Sequence, residues 1–124
     1  MILAIAAGGA IGAIMRYAVY GASFSVFGGG FPIGTMIVNI LGSFAMGILV
    51  ALFETYWQPS QEVRLLLMTG VLGAFTTFSN FSMDAVLMFE KGDVVQPVVY
   101  VAGSVFLSIG GLFAGLMLVR QLAT

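Results

Sequence analysis

Apolar residues in this chain fall into four long runs separated by short polar connectors, the pattern of helices that cross a bilayer. Residues 2–20, 33–53, 65–89 and 98–119 each match the roughly 20 residues a membrane span requires. The connectors hold Gly28, Gly29, Gly30 and Pro32, then a polar stretch over 54–64 with Pro59, then residues 90–97. This predicts an all-α membrane protein, one four-helix transmembrane domain without an internal repeat. No basic segment or clear cleavage site precedes the first run, which therefore reads as a retained helix and not a signal peptide. Tyr17, Tyr20, Tyr56 and Trp57 sit at run ends, where an interfacial aromatic belt is expected.

Composition sharpens this picture chiefly by exclusion. The 124 residues are 60% hydrophobic and 7% charged, against about 25% charged in soluble domains, so the outer surface has to face lipid. His and Cys are both absent, which removes the usual ligands of zinc, haem and iron–sulfur centres, disulfides, and a thiol nucleophile. A net charge of -1 with no basic run leaves no electrostatic footprint for nucleic acid. No Gly-x4-Gly-Lys-[Ser/Thr] loop is present, and an enzyme is not expected. Lys and Arg are balanced across the bilayer: Arg64 and Arg120 fall on one side, Arg16 and Lys91 on the other. Loop basicity normally sets orientation, so such a chain either inserts both ways or takes one orientation through features outside this count. Two oppositely inserted copies would pair about an axis in the membrane plane, the symmetry that inverted-repeat transporters build within one chain.

The informative polarity lies inside the spans. In the third, Gly70 and Gly73 precede Thr76, Thr77, Phe78, Ser79, Asn80, Phe81 and Ser82, placing five hydroxyl or amide side chains at membrane depth. Unsatisfied polar groups there cost several kcal/mol. Glycines followed by β-branched residues form weak helix, so a break is expected over residues 73–78. The competing reading has the hydroxyls bonding back to their own helix and only bending it. Phe78 and Phe81 share a helical face, and phenyl edges carry positive potential; such pairs are also ordinary packing. Tyr100, Ser104 and Ser108 form a stripe at i, i+4 and i+8, and Asn39 lies about one turn inside the second span. Hydrogen-bond donors without fixed charge suit the passage of an anion, although each singly could be interhelical glue worth about 0.6 kcal/mol. Gly8 with Gly12, Ser43 with Gly47, and Gly111 with Gly115 read as close helix packing. Arg16 either reaches headgroups or sets a positive potential at a vestibule. Asp84, the one acid within a span, is a functional candidate by default, or is simply hydrated or paired near the interface.

Three blocks together resemble the Fluc (CrcB) family of fluoride channels over essentially the whole chain: residues 8–17 from Gly8 to Arg16-Tyr17, residues 34–44 around Asn39, and residues 70–82. The resemblance implies an antiparallel, dual-topology homodimer in a bacterial inner membrane, with two fluoride pores that release cytoplasmic fluoride passively. It also implies a structural sodium ion at the dimer centre, held by backbone carbonyls of Gly73 and Thr76. Phe78 and Phe81 are then pore rings and Asn39 a pore amide. Ser104 and Ser108 belong to a polar track on the last helix, with Ser79, Asn80 and Tyr100 completing the pathway and Arg16 at its vestibule. Asn80 departs from the Thr usual in the family, and Asp84 stands where relatives usually carry Glu, with no step assigned to it. Two rivals remain at this point: a small dual-topology, proton-coupled exporter of cations, which would want a carboxylate deep in a span, and a non-transporting assembly subunit.

Overall fold

A computed structural model describes residues 1–123, and every regular element among them is helical. Helix α1 spans Ile2–Phe27. It runs seven residues past the expected end because residues 21–27 contain nothing that stops a helix until Gly28, whose φ of 76° ends it. Helix α2 spans Ile33–Thr55. The third crossing is composite: α3 (Gln61–Arg64), a π-helical stretch (Leu65–Leu72), α4 (Gly73–Phe75), two extended residues, and α5 (Phe78–Glu90). Helix α6 spans Val95–Leu122. It begins three residues before the expected start, because Asp93 Oδ1 accepts from the Val95 and Gln96 N–H groups and Pro97 is tolerated in a first turn. Four stretches, Ile2–Phe27, Ile33–Thr55, Gln61–Glu90 and Val95–Leu122, are long and apolar enough to cross a membrane, with mean hydropathies of 1.8, 2.3, 1.3 and 2.0. The third is lowest because it carries the polar cluster.

Small residues decide which helices touch. Helix α2 packs most extensively on α6, and α1 on the π-helical stretch and α4. A Cβ added at Gly12 would strike the Val71 carbonyl, and one at Gly8 the Leu66 carbonyl. Across the other interface, a Cβ at Gly47 would strike the Leu112 carbonyl and one at Gly115 the Phe44 carbonyl. Backbones therefore approach closely, the arrangement that drives association where lipid removes any hydrophobic gain. Large apolar side chains such as Leu3, Ile14, Phe106 and Phe113 point outward, as a lipid-facing surface requires. The largest fully buried side chains are Tyr100 and Val38, so a phenol near the start of α6 is among the most enclosed groups. At the end bearing residues 56–60, Arg120 pairs with Glu54 at 3.1 Å, both about half exposed; such pairs contribute at most about 1 kcal/mol.

Candidate functional site

The third crossing breaks at Thr76 (φ −82°, ψ 160°) and Thr77 (φ −153°, ψ 120°), inside the stretch where glycine and β-branched residues weaken the helix. Asn39 holds the break open. Thr77 N–H donates to Asn39 Oδ1 at 2.8 Å, and Asn39 Nδ2 donates to the Thr77 carbonyl at 3.1 Å. In a continuous helix the Thr77 N–H would bond the Gly73 carbonyl; its diversion to Asn39 releases that oxygen. Thr77 then caps α5, its Oγ1 accepting from Asn80 N–H at 3.2 Å. Thr76 and Ser82 do bond back to their own helix, to the Leu72 and Phe78 carbonyls at 3.0 Å. Thr77 and Asn80 do not, so the cluster does more than bend a helix. The π-helical stretch before the break has no signature in its apolar sequence.

Beside the break lies a cavity of about 340 Å³, lined by Asn39, Ser43, Thr76, Thr77, Phe78, Phe81, Ser104 and Ser108 with Val105 and Ile109. Phe78 and Phe81 stack at 5.6 Å between centroids, tilted by 51°. Phe78 is 78% exposed and Phe81 8%, so this face of the chain is open at Phe78 and closed below it. Ser104 Oγ and Ser108 Oγ are buried without a hydrogen-bond partner. Helical serines normally satisfy themselves on the preceding turn; these two present unused donors toward the cavity. No formally charged side chain lines it.

One turn further along the same helices the packing tightens around Asp84. Its Oδ2 accepts from Thr35 Oγ1 at 2.7 Å and from the Tyr100 phenol at 3.0 Å. Tyr100 also stacks on Phe81 at 5.2 Å and meets Phe31 edge-on at 5.6 Å and 88°. Beyond this plug a second cavity of about 310 Å³ opens toward residues 28–32, with Tyr20, Ser23, Phe31, Thr35, Asp84 and Lys91 in its wall. The Asp84 carboxylate and the hydroxyls of Thr35 and Tyr100 thus lie one helical turn from the residues lining the first cavity, with Thr35 and Asp84 in the wall of the second.

The structure brings Asn39, Phe78, Phe81, Ser104 and Ser108 around the first cavity and puts Tyr100 on the Asp84 carboxylate. Ser79 is exposed, within 3.3 Å of the Thr77 hydroxyl. Asn80 turns toward α1, where its Nδ2 donates to the Tyr20 hydroxyl at 3.0 Å. Arg16 is half-buried on α1 and lines neither cavity. Gly73 is exposed on an outer face and Thr76 half-buried. Tyr20 corrects the aromatic-belt expectation: Tyr17, Tyr56 and Trp57 are exposed, but Tyr20 is half-buried and hydrogen-bonded. Thr35 and Tyr20 were not anticipated as site residues. Thr35 carried a signal, since it lies four residues before Asn39 on the same face of α2; Tyr20 carried none.

A helical bundle with four crossings, a broken third span and an open, largely apolar cavity holding a few uncharged donors defines a polytopic membrane protein. The chain belongs to the CrcB-like protein family, described as camphor resistance (CrcB), whose family model matches residues 3–116. It is 52% identical to a protein of Rhodospirillum centenum, over 97% of this chain and 95% of that one. It is 50% identical to one of Agrobacterium fabrum, over 95% and 94%, and 47% identical to one of Rhizobium etli, over 97% and 96%. All three relatives carry the name fluoride-specific ion channel FluC.

Proposed function

We propose that this chain forms a fluoride-selective channel that lets cytoplasmic fluoride leave passively, down its electrochemical gradient. One observation carries the reading: two buried, unpartnered serine hydroxyls, Ser104 and Ser108, share a cavity with an asparagine amide and two phenyl rings. An unsatisfied buried hydroxyl costs about 1–3 kcal/mol, and a small, strongly hydrated anion passing through supplies the missing acceptor. Ring edges of Phe78 and Phe81 add weak positive potential. With no full positive charge in the cavity wall, the ion is bound firmly enough to enter and loosely enough to leave. The names of the relatives support an ion channel and not an enzyme.

Between the two cavities an anion has to exchange its partners for the hydroxyls of Thr35 and Tyr100, which rest on Asp84. That exchange sets the slow step in this reading. Phe78, largely exposed in one chain, is completed by a second, antiparallel copy. The Gly73 carbonyl freed by the break, with that of Thr76, fits a hard cation, which takes oxygen ligands; two copies double the number, as a structural sodium ion at the dimer centre requires. The dimer resides in the bacterial inner membrane.

Fluoride efflux from liposomes containing the purified protein, read with an electrode after adding a potassium ionophore, tests the channel reading. Rapid loss of fluoride with retention of chloride is expected. Equal loss of both ions, or of neither from an intact dimer, overturns it.

A further inference from the structure

The second cavity meets α2 at its first turn, where the helix is uncapped. Pro32 precedes it and offers no side-chain cap. Ile33 N–H turns back to the Phe31 carbonyl at 2.8 Å, and Met36 N–H reaches the Pro32 carbonyl at 3.4 Å. Between them the Gly34 and Thr35 N–H groups come too early in the helix for a carbonyl one turn back, and both residues line the cavity. Neither N–H has an acceptor among the described residues. Ser23, on α1, faces this turn: a Cβ added at Gly34 would lie 3.5 Å from the Ser23 Cβ. Ser23 is only 7% exposed and lines the same cavity, yet its hydroxyl has no partner among the described residues. A buried helical serine ordinarily bonds to its own preceding turn; this one keeps its proton for an occupant of the cavity.

We propose that the first turn of α2, the Ser23 hydroxyl and Lys91 form an anion-binding site at the mouth of the second cavity, which takes up fluoride before it meets Thr35 and Tyr100. The inference rests on the fluoride-channel reading and adds to it a site distinct from the first cavity, whose wall contains neither Ser23 nor Lys91. Two backbone N–H groups, a hydroxyl and an ammonium are all donors, and the positive end of the α2 dipole favours negative charge. Lys91, at the end of α5, is the one base in the cavity wall. Asp84 is the one acid there, and its Oδ2 is already engaged by Thr35 and Tyr100. A basic residue at the end of α5 also suits that helix's own dipole, so Lys91 alone does not decide the matter. Ser23 does, because nothing structural accounts for its free hydroxyl. Gly28, Gly29 and Gly30 form part of the wall and put no side chain in the way of an approaching ion.

The test measures conductance in planar bilayers over a range of fluoride concentrations for the unaltered protein, Ser23→Ala, Lys91→Gln and Lys91→Arg. Ser23→Ala is expected to raise the half-saturating fluoride concentration about threefold to tenfold, the range for one hydrogen bond to an ion at a partly open site, with the limiting conductance kept. Removing a hydroxyl that has no partner leaves no other group unpaired, so thermal stability should hold. Lys91→Gln should raise the half-saturating concentration as well, by a factor that shrinks as sodium gluconate is added, whereas the Ser23→Ala factor persists; Lys91→Arg should restore the unaltered value. An unchanged half-saturating concentration in Ser23→Ala, in a preparation that conducts fluoride, overturns the inference while the channel reading stands. An unaltered protein that conducts no fluoride removes the channel reading and this inference with it.

Discussion

Ser104 and Ser108 concentrate the chemistry of the site at the smallest scale. Both lie on the α6 stripe that begins at Tyr100, yet the three residues have separate tasks: Tyr100 spends its proton on Asp84, whereas the serine protons have no acceptor within the chain. Ser104→Ala removes a donor without enlarging the cavity much or leaving another group unpaired. Fluoride efflux should then fall about fivefold to tenfold, the range for one hydrogen bond to an ion, with thermal stability unchanged or slightly raised. Unaltered efflux would show that the hydroxyl meets no ion. Phe81→Ile makes a different change. It removes a ring edge and also the 5.2 Å stack on Tyr100, so flux should be lost while the dimer still elutes intact on size exclusion; Phe78→Ile, at an exposed ring, should lose flux with even less effect on stability.

At the scale of elements, the break in the third span depends on a residue from a different helix. Asn39 satisfies both backbone groups of Thr77, and Asn39→Ala would leave them unpaired at membrane depth, where each costs about 1–3 kcal/mol. A fall in thermal unfolding temperature in detergent is expected, together with loss of flux. A more drastic lesion is Gly12→Leu, which would drive a side chain into the Val71 carbonyl and should abolish the folded protein. Much of this level could be read from sequence. Apolar runs marked the four crossings, glycine spacing marked the α1 and α2–α6 interfaces, and the Gly and Thr content of residues 73–78 marked the break. The π-helical stretch over Leu65–Leu72 could not be read, because its hydrophobic residues suit either helical register. Tyr20 escaped for another reason: a tyrosine at a span end has the same local signature whether it faces headgroups or inward donors such as Thr35 and Asn80. Only the approach of α1 to α2 over Gly34, a tertiary event, turns it inward.

At the scale of the whole molecule, the proposed pairing is tested by what one chain leaves uncovered. A single copy exposes Phe78 and Gly73 on its outer faces and contributes one Gly73 and one Thr76 carbonyl. If paired copies supply a sodium site, exchange of sodium for a large organic cation should loosen the dimer, visible as subunit exchange between differently labelled preparations; indifference to sodium would remove Gly73 and Thr76 as ligands. Pairing in opposite directions makes a further demand, on insertion. Arg64 and Arg120 at one end balance Arg16 and Lys91 toward the other, so basic residues give the membrane no preference. The absence of cysteine makes this directly measurable without altering any background thiol. Gln58→Cys, in the connector over residues 56–60, and Glu90→Cys, at the opposite end of the bundle, are both exposed positions away from the cavity walls. In intact spheroplasts a membrane-impermeant maleimide should modify about half of each variant, since either end faces outward in half of the copies when orientation is unbiased. Complete labelling of one variant with none of the other would mean a single orientation, and an antiparallel dimer could not form from it. Half-labelling of both, in a preparation that conducts fluoride, is the outcome that the proposed antiparallel pairing demands of the balance of four basic residues.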